Sequence, residues 1–582
     1  MVVLTTITVT KNRAMKKILG CLIFIIGIWS YLSAQIKEYS QGSEFKECPM
    51  TRSVLNNLEV LCRVWGFVKY HHPVFSDSTA SADYELFKLL PQIAVAEKWE
   101  RNQILSDWIV SLGSFRQDRK GYVRMLDTMN YEMTADLEWL DDNELLGKKM
   151  SRTLRKLRFA ERDSNYYLQR KFQGGRYVFI HENKYQNSPM AWNPDCGYRL
   201  LAFFRYWNFV EYFYPYKRLT DRRWDEMLSV YLPEIIATHG VGFRNLMFRI
   251  NTELCDMHAF SVNPNLGILG GSKTVPADTR FVENRLIVVS PDRYTPLGMN
   301  CFRTADEILS INGFSIDSLK RFMKANFSLS NEACLQSRLA QFCWYTNADT
   351  MAVTFCRENN VQDTLIQTQI PVKEYTDRKY RMIVDTLSSH LFADSIGYIS
   401  GGNFHLKDLD GVMSKFCHTK GLIIDLRSYP SEPIMFIFSK LSNKLKPYME
   451  VSRPCYTLPG YFYWEKTKEW SDPEQDYYKG KVVVLVDENT FSQGETTVLV
   501  LQAIPGITVI GSRTAGTNGD VHSLPLIGYI PASFSGYGIR YPDGTPTQRV
   551  GVRIDEIVEP TIEGVKAGRD EVLERAIEII NE

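Results

Sequence analysis

Two hydrophobic patterns divide this chain. In the C-terminal third the apolar residues run together. KGLIIDLRSYPSE from Lys420 and KVVVLVD from Lys481 are β-branched runs that end in polar turns, and ITVIGS follows from Ile507. Unbroken apolar runs of this length fit strands covered on both faces, as in a parallel sheet with helices on either side. Strands are expected at Ile396–Ile399, Leu422–Leu426, Val482–Val486 and Ile507–Ile510, with helices between them. The closing GRDEVLERAIEII is spaced as an amphipathic helix.

In the first half the apolar residues are aromatic and recur at helical spacing. RVWGFVKYHHPVF from Arg63 returns as RYWNFVEYFYPYK from Arg205, at a constant offset of 142. Arg63, Trp65, Phe67, Val68, Tyr70 and Pro73 recur as Arg205, Trp207, Phe209, Val210, Tyr212 and Pro215. Asp83, Leu86, Leu90, Pro91 and Ile93 recur as Asp225, Leu228, Leu232, Pro233 and Ile235. Eleven identities without a gap predict a duplicated helical hairpin whose first helix ends at the proline. The tryptophans sit among aromatic neighbours and read as core, and each arginine is expected to pair with an acid inside its own unit. His71-His72 has no carboxylate at ligand spacing, and the second copy has Phe213-Tyr214 there, so no metal site is expected. Trp139 to Lys171 is charged and helical in pattern; Gly174 to Pro194 reads as a strand and a loop.

Between these halves, 272–372 reads as short strands and turns around one helix. DEILSINGFSIDSLKRFM from Asp306 has a strand, an Asn312-Gly313 turn, a short strand and a helix. This order resembles a PDZ-type module, which binds peptides by edge addition. The usual carboxylate-binding loop is not recognisable.

With 582 residues, three or four domains are expected. The net charge of +1 argues against a nucleic-acid binder that works by bulk electrostatics. Lys16 and Lys17 precede an uncharged stretch from Ile18 to Ile36. It reads as a signal peptide starting at Met15 and cleaved after Ala34, with an uncleaved anchor as the rival. The expected location is the periplasm or cell envelope, or outside the cell, with membrane contact only through that segment. The eleven cysteines form no CxxC pair, and most read as buried thiols with room for one or two disulfides.

The chemistry is expected at Ser492, in VDENTFSQGETTV, where a strand turns into a helix. A hydroxyl there is exposed, and the unpaired N–H groups of the first helical turn face it. Ser492-Gln493-Gly494-Glu495 also fits a capping box, Ser492 as N-cap and Glu495 reaching back.

The order of DLRSYPSE, the Ser492 turn, GSRTAGTNG, YGIRYPDGTPTQRVGV and IVEPT decides between these. It resembles the carboxyl-terminal processing peptidases, or tail-specific proteases, and the tricorn protease core. The likeness covers roughly 394–582, with a looser match back to about residue 251. It implies an α/β catalytic domain of ClpP/crotonase-like type, a PDZ-like module and, in this chain, an N-terminal duplicated helical cap. The segments are then a signal peptide (1–34), helical regions with repeat copy 1 (45–190) and copy 2 (191–265), the PDZ-like module (272–375) and the peptidase domain (385–582). It also implies an acyl-enzyme on Ser492 and hydrolysis of unfolded or extended polypeptides, with no cofactor. A non-catalytic peptide-binding protein and a hydrolase of another acyl substrate remain open, as does the oligomeric state.

In the tail-specific branch the base is a lysine in a Thr-x-Gly-Lys-Gly loop. Here that loop is Thr514-Ala515-Gly516-Thr517-Asn518-Gly519, Thr517 holds the lysine position, and no lysine lies between Lys481 and Lys566. Arginine does not lose its proton at working pH. The base is therefore expected to be His258, in NTELCDMHAFSVN, which matches the upstream histidine of the tricorn-like members; His522 is second. A near-normal imidazole implies activity that rises through roughly pH 6–7. The relay glutamate of the tricorn core falls at Gln548, so another acid, Asp256, Glu495 or Asp520, is weighed for that task. The oxyanion donors are expected to be the N–H of Gln493 and one near Ser431, where the family has glycine.

Overall fold

The computed structural model describes residues 39–582, save 129, 183–184, 186–187, 264–265, 267, 291–301, 369, 378–386, 393–394, 475 and 529. The expected signal peptide and Cys301 lie outside the described residues.

The apolar runs of the C-terminal third form one sheet in the order Ser389–Phe392, Ile396–Ser400, Gly421–Asp425, Lys481–Val486, Ile507–Gly511, Glu556–Ile557. The first pairing is antiparallel and the others are parallel. Alternation of side chains explains why the runs are apolar throughout. Leu422, Ile424, Val482, Val484 and Val486 pack on one face with Val498 and Leu501 of helix Gln493–Gln502. Ile423, Val483 and Leu485 pack on the other with Val572, Ala576 and Ile580 of helix Glu571–Asn581. That last helix sits so close that a Cβ on Gly421 would lie 2.5 Å from Ile580 Cγ2.

The duplicated segments form helices Arg52–His71 and Ala82–Ile93 in the first copy, Cys196–Phe213 and Met227–Ala237 in the second. Equivalent tryptophans make equivalent bonds. Trp65 Nε1 donates to the Ala82 carbonyl at 2.7 Å, and Trp207 Nε1 to that of Trp224 at 3.1 Å. The arginines depart from expectation, because each reaches across to the other copy. Arg205 binds the Asp83 carboxylate at 2.6 Å, and Arg63 donates to the Asp225 carbonyl at 3.3 Å. The long helices lie side by side with Asn208 against Gly66, where a Cβ would meet the amide at 1.8 Å. Arg205, buried in this contact, finds its acid, Asp83, on the second helix of the first copy and not in its own. Arg205 also binds Glu182, which takes Lys69 as well, so the buried charges form one paired network. His71 Nδ1 is bonded to the Phe67 carbonyl, and His72 caps the turn Pro73–Phe75, so both serve the backbone.

The middle region carries the sheet order Asn360–Gln367, Thr350–Arg357, Glu307–Ile311, Arg285–Ser290, Asp278–Val282, with Phe314–Ser315 beside Glu307–Ile311. Asn312 and Gly313, both at positive φ, make the tight turn between strands. Two helices, Ile316–Asn326 and Glu332–Phe342, pack here, not the single one expected.

One hairpin joins the two halves of the chain. Strands Val521–Pro525 and Pro531–Ser535 extend the sheet that starts with Arg170–Gln173 and Arg176–Phe179. Leu524, Leu526, Ile527, Ile530, Ala532 and Phe534 are buried in the core of the N-terminal helices. Among the described residues no helix is long and apolar enough to cross a membrane, no cluster fits a metal ion, and the nine cysteines are free thiols.

Candidate active site

The site is assembled around the loop Thr514–Asn518, on which three separate segments converge. The first carries Ser492. Strand Lys481–Val486 ends at Asp487, whose N–H is bound by Thr490 Oγ1, and Thr490 Oγ1 in turn donates to the Leu426 carbonyl at 2.9 Å. The turn so fixed delivers Ser492 at φ 50°, ψ −113°, a strained conformation for a residue with a side chain. Its N–H donates to the Thr517 carbonyl at 2.7 Å, and its hydroxyl does not cap the helix. The capping-box alternative is therefore overturned. Ser492 is partly exposed at the helix N-terminus, and the Gln493 N–H opens that helix.

Glu495, fully buried one turn on, clasps the same loop. Oε1 accepts from Thr514 Oγ1 at 2.6 Å and from the Gly516 N–H at 2.8 Å; Oε2 accepts from the Thr517 N–H at 3.1 Å. Burial pushes its carboxyl up to about 8 against the pull of those three bonds. A carboxyl so engaged shapes the loop, and it makes no bond to a histidine.

The second segment carries His258. After helix Gly240–Thr252 the chain makes a short turn, Met257–Ala259, capped by Asp256, whose Oδ1 accepts from the His258 N–H at 3.0 Å. The Met257 N–H donates to Thr517 Oγ1 at 3.3 Å. The residue at the family's lysine position thus binds the serine turn through its carbonyl and the histidine turn through its hydroxyl. Met257 and Phe491, the neighbours of His258 and Ser492, pack in one apolar cluster with Ala515 and Cys334.

His258 is held from behind by strand Pro531–Ser535. Side chains alternate on a strand, so Ser533 and Ser535 face the histidine turn while Ala532 and Phe534 enter the helical core. Ser533 Oγ donates to the His258 carbonyl at 2.8 Å. His258 Nδ1 lies 2.8 Å from Ser535 Oγ, Ser535 Oγ donates to Asp256 Oδ1 at 3.0 Å, and the Ser535 N–H donates to Asp256 Oδ2 at 2.7 Å. Loss of hydration lowers the imidazole below its ordinary 6.5, with the Asp256 and Asp520 charges opposing the shift. The expected rise of activity through pH 6–7 therefore moves to lower pH.

His522, the other candidate base, is excluded by its surroundings. It is fully buried against Tyr177, Phe179, Phe534 and Tyr537, neither ring nitrogen has a partner among the described residues, and burial pushes it down to about 3. A Cβ on Gly536 would touch the ring at 2.2 Å, so the packing leaves no path from it to a reacting group.

Gln548 enters with the third segment, which is pinned by the Arg549 N–H donating to the Gly516 carbonyl at 2.8 Å. Gln548 is 2% exposed, and both of its amide atoms lack a hydrogen-bond partner among the described residues. It makes no bond to His258. The Ser431 expectation also needs correction. Its N–H donates to the Gly401 carbonyl at 3.3 Å and is not free for an oxyanion. The loop does reach the serine turn, where the Tyr429 and Phe491 rings lie 4.6 Å apart.

Sequence reasoning missed Ser535 and the hydroxyl of Thr517. Both are small polar residues in ordinary contexts, and only the approach of distant segments gives them partners. The alternation of serines in PASFS was the one available signal for Ser535.

Fold and site together define an α/β domain with a strained serine where a parallel strand meets a helix, flanked by a histidine turn. Residues 395–563 match the model of peptidase family S41, so this domain is similar to the carboxyl-terminal processing peptidases. Among solved structures, mature CPAF complexed with lactacystin is similar over 66% of this chain and 98% of that one, at 11% identity and a TM-score of 0.52. Mature CPAF alone gives 66%, 96%, 11% and 0.50. These two share the fold. The photosystem II D1 C-terminal processing protease aligns over 64% of this chain and 98% of that one, at 15% identity, with a TM-score of 0.38 that carries no argument. No curated protein matches the chain.

Proposed function

We propose that this protein is an exported serine endopeptidase that cleaves unfolded or extended polypeptide through an acyl-enzyme on Ser492. The observation that carries the reading is the strained, uncapped Ser492 at the helix start, tied through Thr517 to the turn that bears His258. A hydroxyl needs a base to become a nucleophile. His258 is held neutral at physiological pH by its lowered pKa, and so is able to accept the proton.

In the first step Ser492 Oγ attacks the scissile carbonyl carbon and His258 takes the hydroxyl proton. The oxyanion forms at the helix N-terminus, where the Gln493 N–H and the partial positive charge of the helix end favour it. The imidazolium returns the proton to the departing amine, and water then hydrolyses the acyl-enzyme by the same route in reverse. The apolar stretch after Lys16-Lys17 supports export, and the middle sheet with its Asn312-Gly313 hairpin supports a PDZ-like module that presents extended chain.

A fluorophosphonate probe on the purified full chain tests the nucleophile. Wild-type protein is expected to be labelled and to degrade an unfolded substrate, and Ser492→Ala to do neither. Equal labelling of both would remove Ser492 from the mechanism. No labelling and no turnover by wild type would leave a protein that binds peptides without cutting them.

A further inference from the structure

The relay carboxylate of the tricorn core falls at Gln548, which touches neither His258 nor any other described polar partner. A neutral imidazole acts as a base only if the correct nitrogen is free and the ring is held still. We infer that Ser535, anchored by Asp256, is the positioning residue that sets the tautomer of His258, so that a serine–aspartate pair stands in for the missing carboxylate. The inference rests on the reading of His258 as the base.

The argument is a count of protons. Asp256 is fully buried and its carboxylate accepts from three donors: the His258 N–H, the Ser535 N–H and the Ser535 hydroxyl. A carboxylate only accepts, so the single hydroxyl proton of Ser535 is committed to Asp256. Ser535 Oγ can then face His258 Nδ1, 2.8 Å away, only as an acceptor. His258 must carry its proton on Nδ1, and Nε2 is left with the lone pair. The order Nε2, Nδ1–H, Ser535 Oγ–H, Asp256 thus runs from the reacting edge of the ring into the interior. On proton uptake at Nε2 the same chain stabilises the imidazolium, because Nδ1–H becomes a stronger donor and the Asp256 charge lies one hydroxyl away.

The ring is fixed as well as protonated in one way. Ser533 holds the His258 carbonyl, Ser328 Oγ accepts from the Asp256 N–H at 3.0 Å, and Thr517 accepts from Met257. Glu495, the other buried carboxyl nearby, spends both oxygens on the Thr514–Thr517 segment and has none to offer His258. Besides Asp256, the charge that bears on the ring is Asp520, ahead of strand Val521–Pro525.

The test compares wild type, Ser535→Ala, Ser535→Thr and Asp256→Asn in the full chain. Ring-15N-labelled histidine is used, with His258→Gln to assign the signal among the nine histidines. Wild type is expected to show a protonated Nδ1 and an unprotonated Nε2 at pH 7.5. Ser535→Ala is expected to give mixed tautomers, an acid limb of kcat/KM shifted to lower pH, and kcat reduced about 10- to 100-fold with KM little changed, less than the roughly 100- to 10,000-fold ascribed to a general base itself. Ser535→Thr keeps the hydroxyl on a strand that tolerates it and should restore both tautomer and kcat. Asp256→Asn should move the acid limb the same way as Ser535→Ala. A wild-type proton on Nε2, or a folded Ser535→Ala with unchanged tautomer and kcat, overturns the inference. Should wild type prove inactive, the spectrum still reads the proton order, so failure of the peptidase reading and failure of this one are told apart.

Discussion

The strain at Ser492 and the lowered pKa of His258 are properties of single residues, and each has a measurable consequence. A base works only when unprotonated, and burial holds the His258 imidazole below 6.5. Activity should therefore be flat from neutral pH upward and fall on acidification only below that value, with the limb absent in His258→Ala. That variant should lose about two to four orders of magnitude in kcat and keep its fold. A limb centred above 6.5 would show that hydration of the ring outweighs its burial. The serine was legible in the sequence because a β-branched run, a polar turn and a helix in that order expose one hydroxyl. The fate of Glu495 was not. Its spacing from Ser492 suits a capping box and its carboxyl suits a relay acid, and only the return of residues 514–517 decides that it shapes a loop.

Among the elements, the paired long helices show what a repeat reveals and what it conceals. The offset fixed which residues are equivalent, and the matching Trp65 and Trp207 bonds bear that out. It carried no information about which copy supplies each partner, since Asp83 and Asp225 are equally available to either arginine by spacing alone. The exchange makes the helix contact cooperative. Gly66→Ala should destabilise the protein by about 1–3 kcal/mol, as overpacking does, because the added methyl collides with Asn208. Asn208→Ala should cost the bonds from Nδ2 to the Cys62 and Phe204 carbonyls. The double variant should be more stable than the sum of the two losses, which thermal or denaturant unfolding will read as a coupling energy. Simple additivity would mean that the helices move apart to absorb the methyl.

For the whole molecule, Arg549 is a tie between regions that the sequence reads as separate. At φ 64° it directs its guanidinium to the Leu219 carbonyl at 2.6 Å, to Asp221 at 2.7 Å and, through Nε, to the Ser330 carbonyl at 3.3 Å. The helical region, the middle region and the loop of the serine domain meet there. Arg549→Ala should lower stability by about 1–2 kcal/mol, since the Asp221 partner is exposed and the two carbonyl bonds carry most of the effect. Limited proteolysis should also become faster at the joins. An unchanged cleavage pattern would show that apolar packing alone holds the regions. The sheet of the serine domain was readable strand by strand from its apolar runs. The placing of strand Pro531–Ser535 in another region's core was not, because a strand's partners far along the chain leave no mark in its own pattern.

That hairpin also bears on how the chain is made. The helices of residues 52–250 close over Leu524, Leu526, Ile527, Ile530 and Phe534. Their interior is incomplete until the ribosome has delivered Phe534. A protein built from the N-terminus usually folds its early domains first. Here the early helices must wait, with apolar surface uncovered, for a hairpin that is made long after them. The histidine turn waits with them, because Ser533 and Ser535 come on the same strand. The chain thus acquires the geometry of its candidate site only when its first half becomes a finished core.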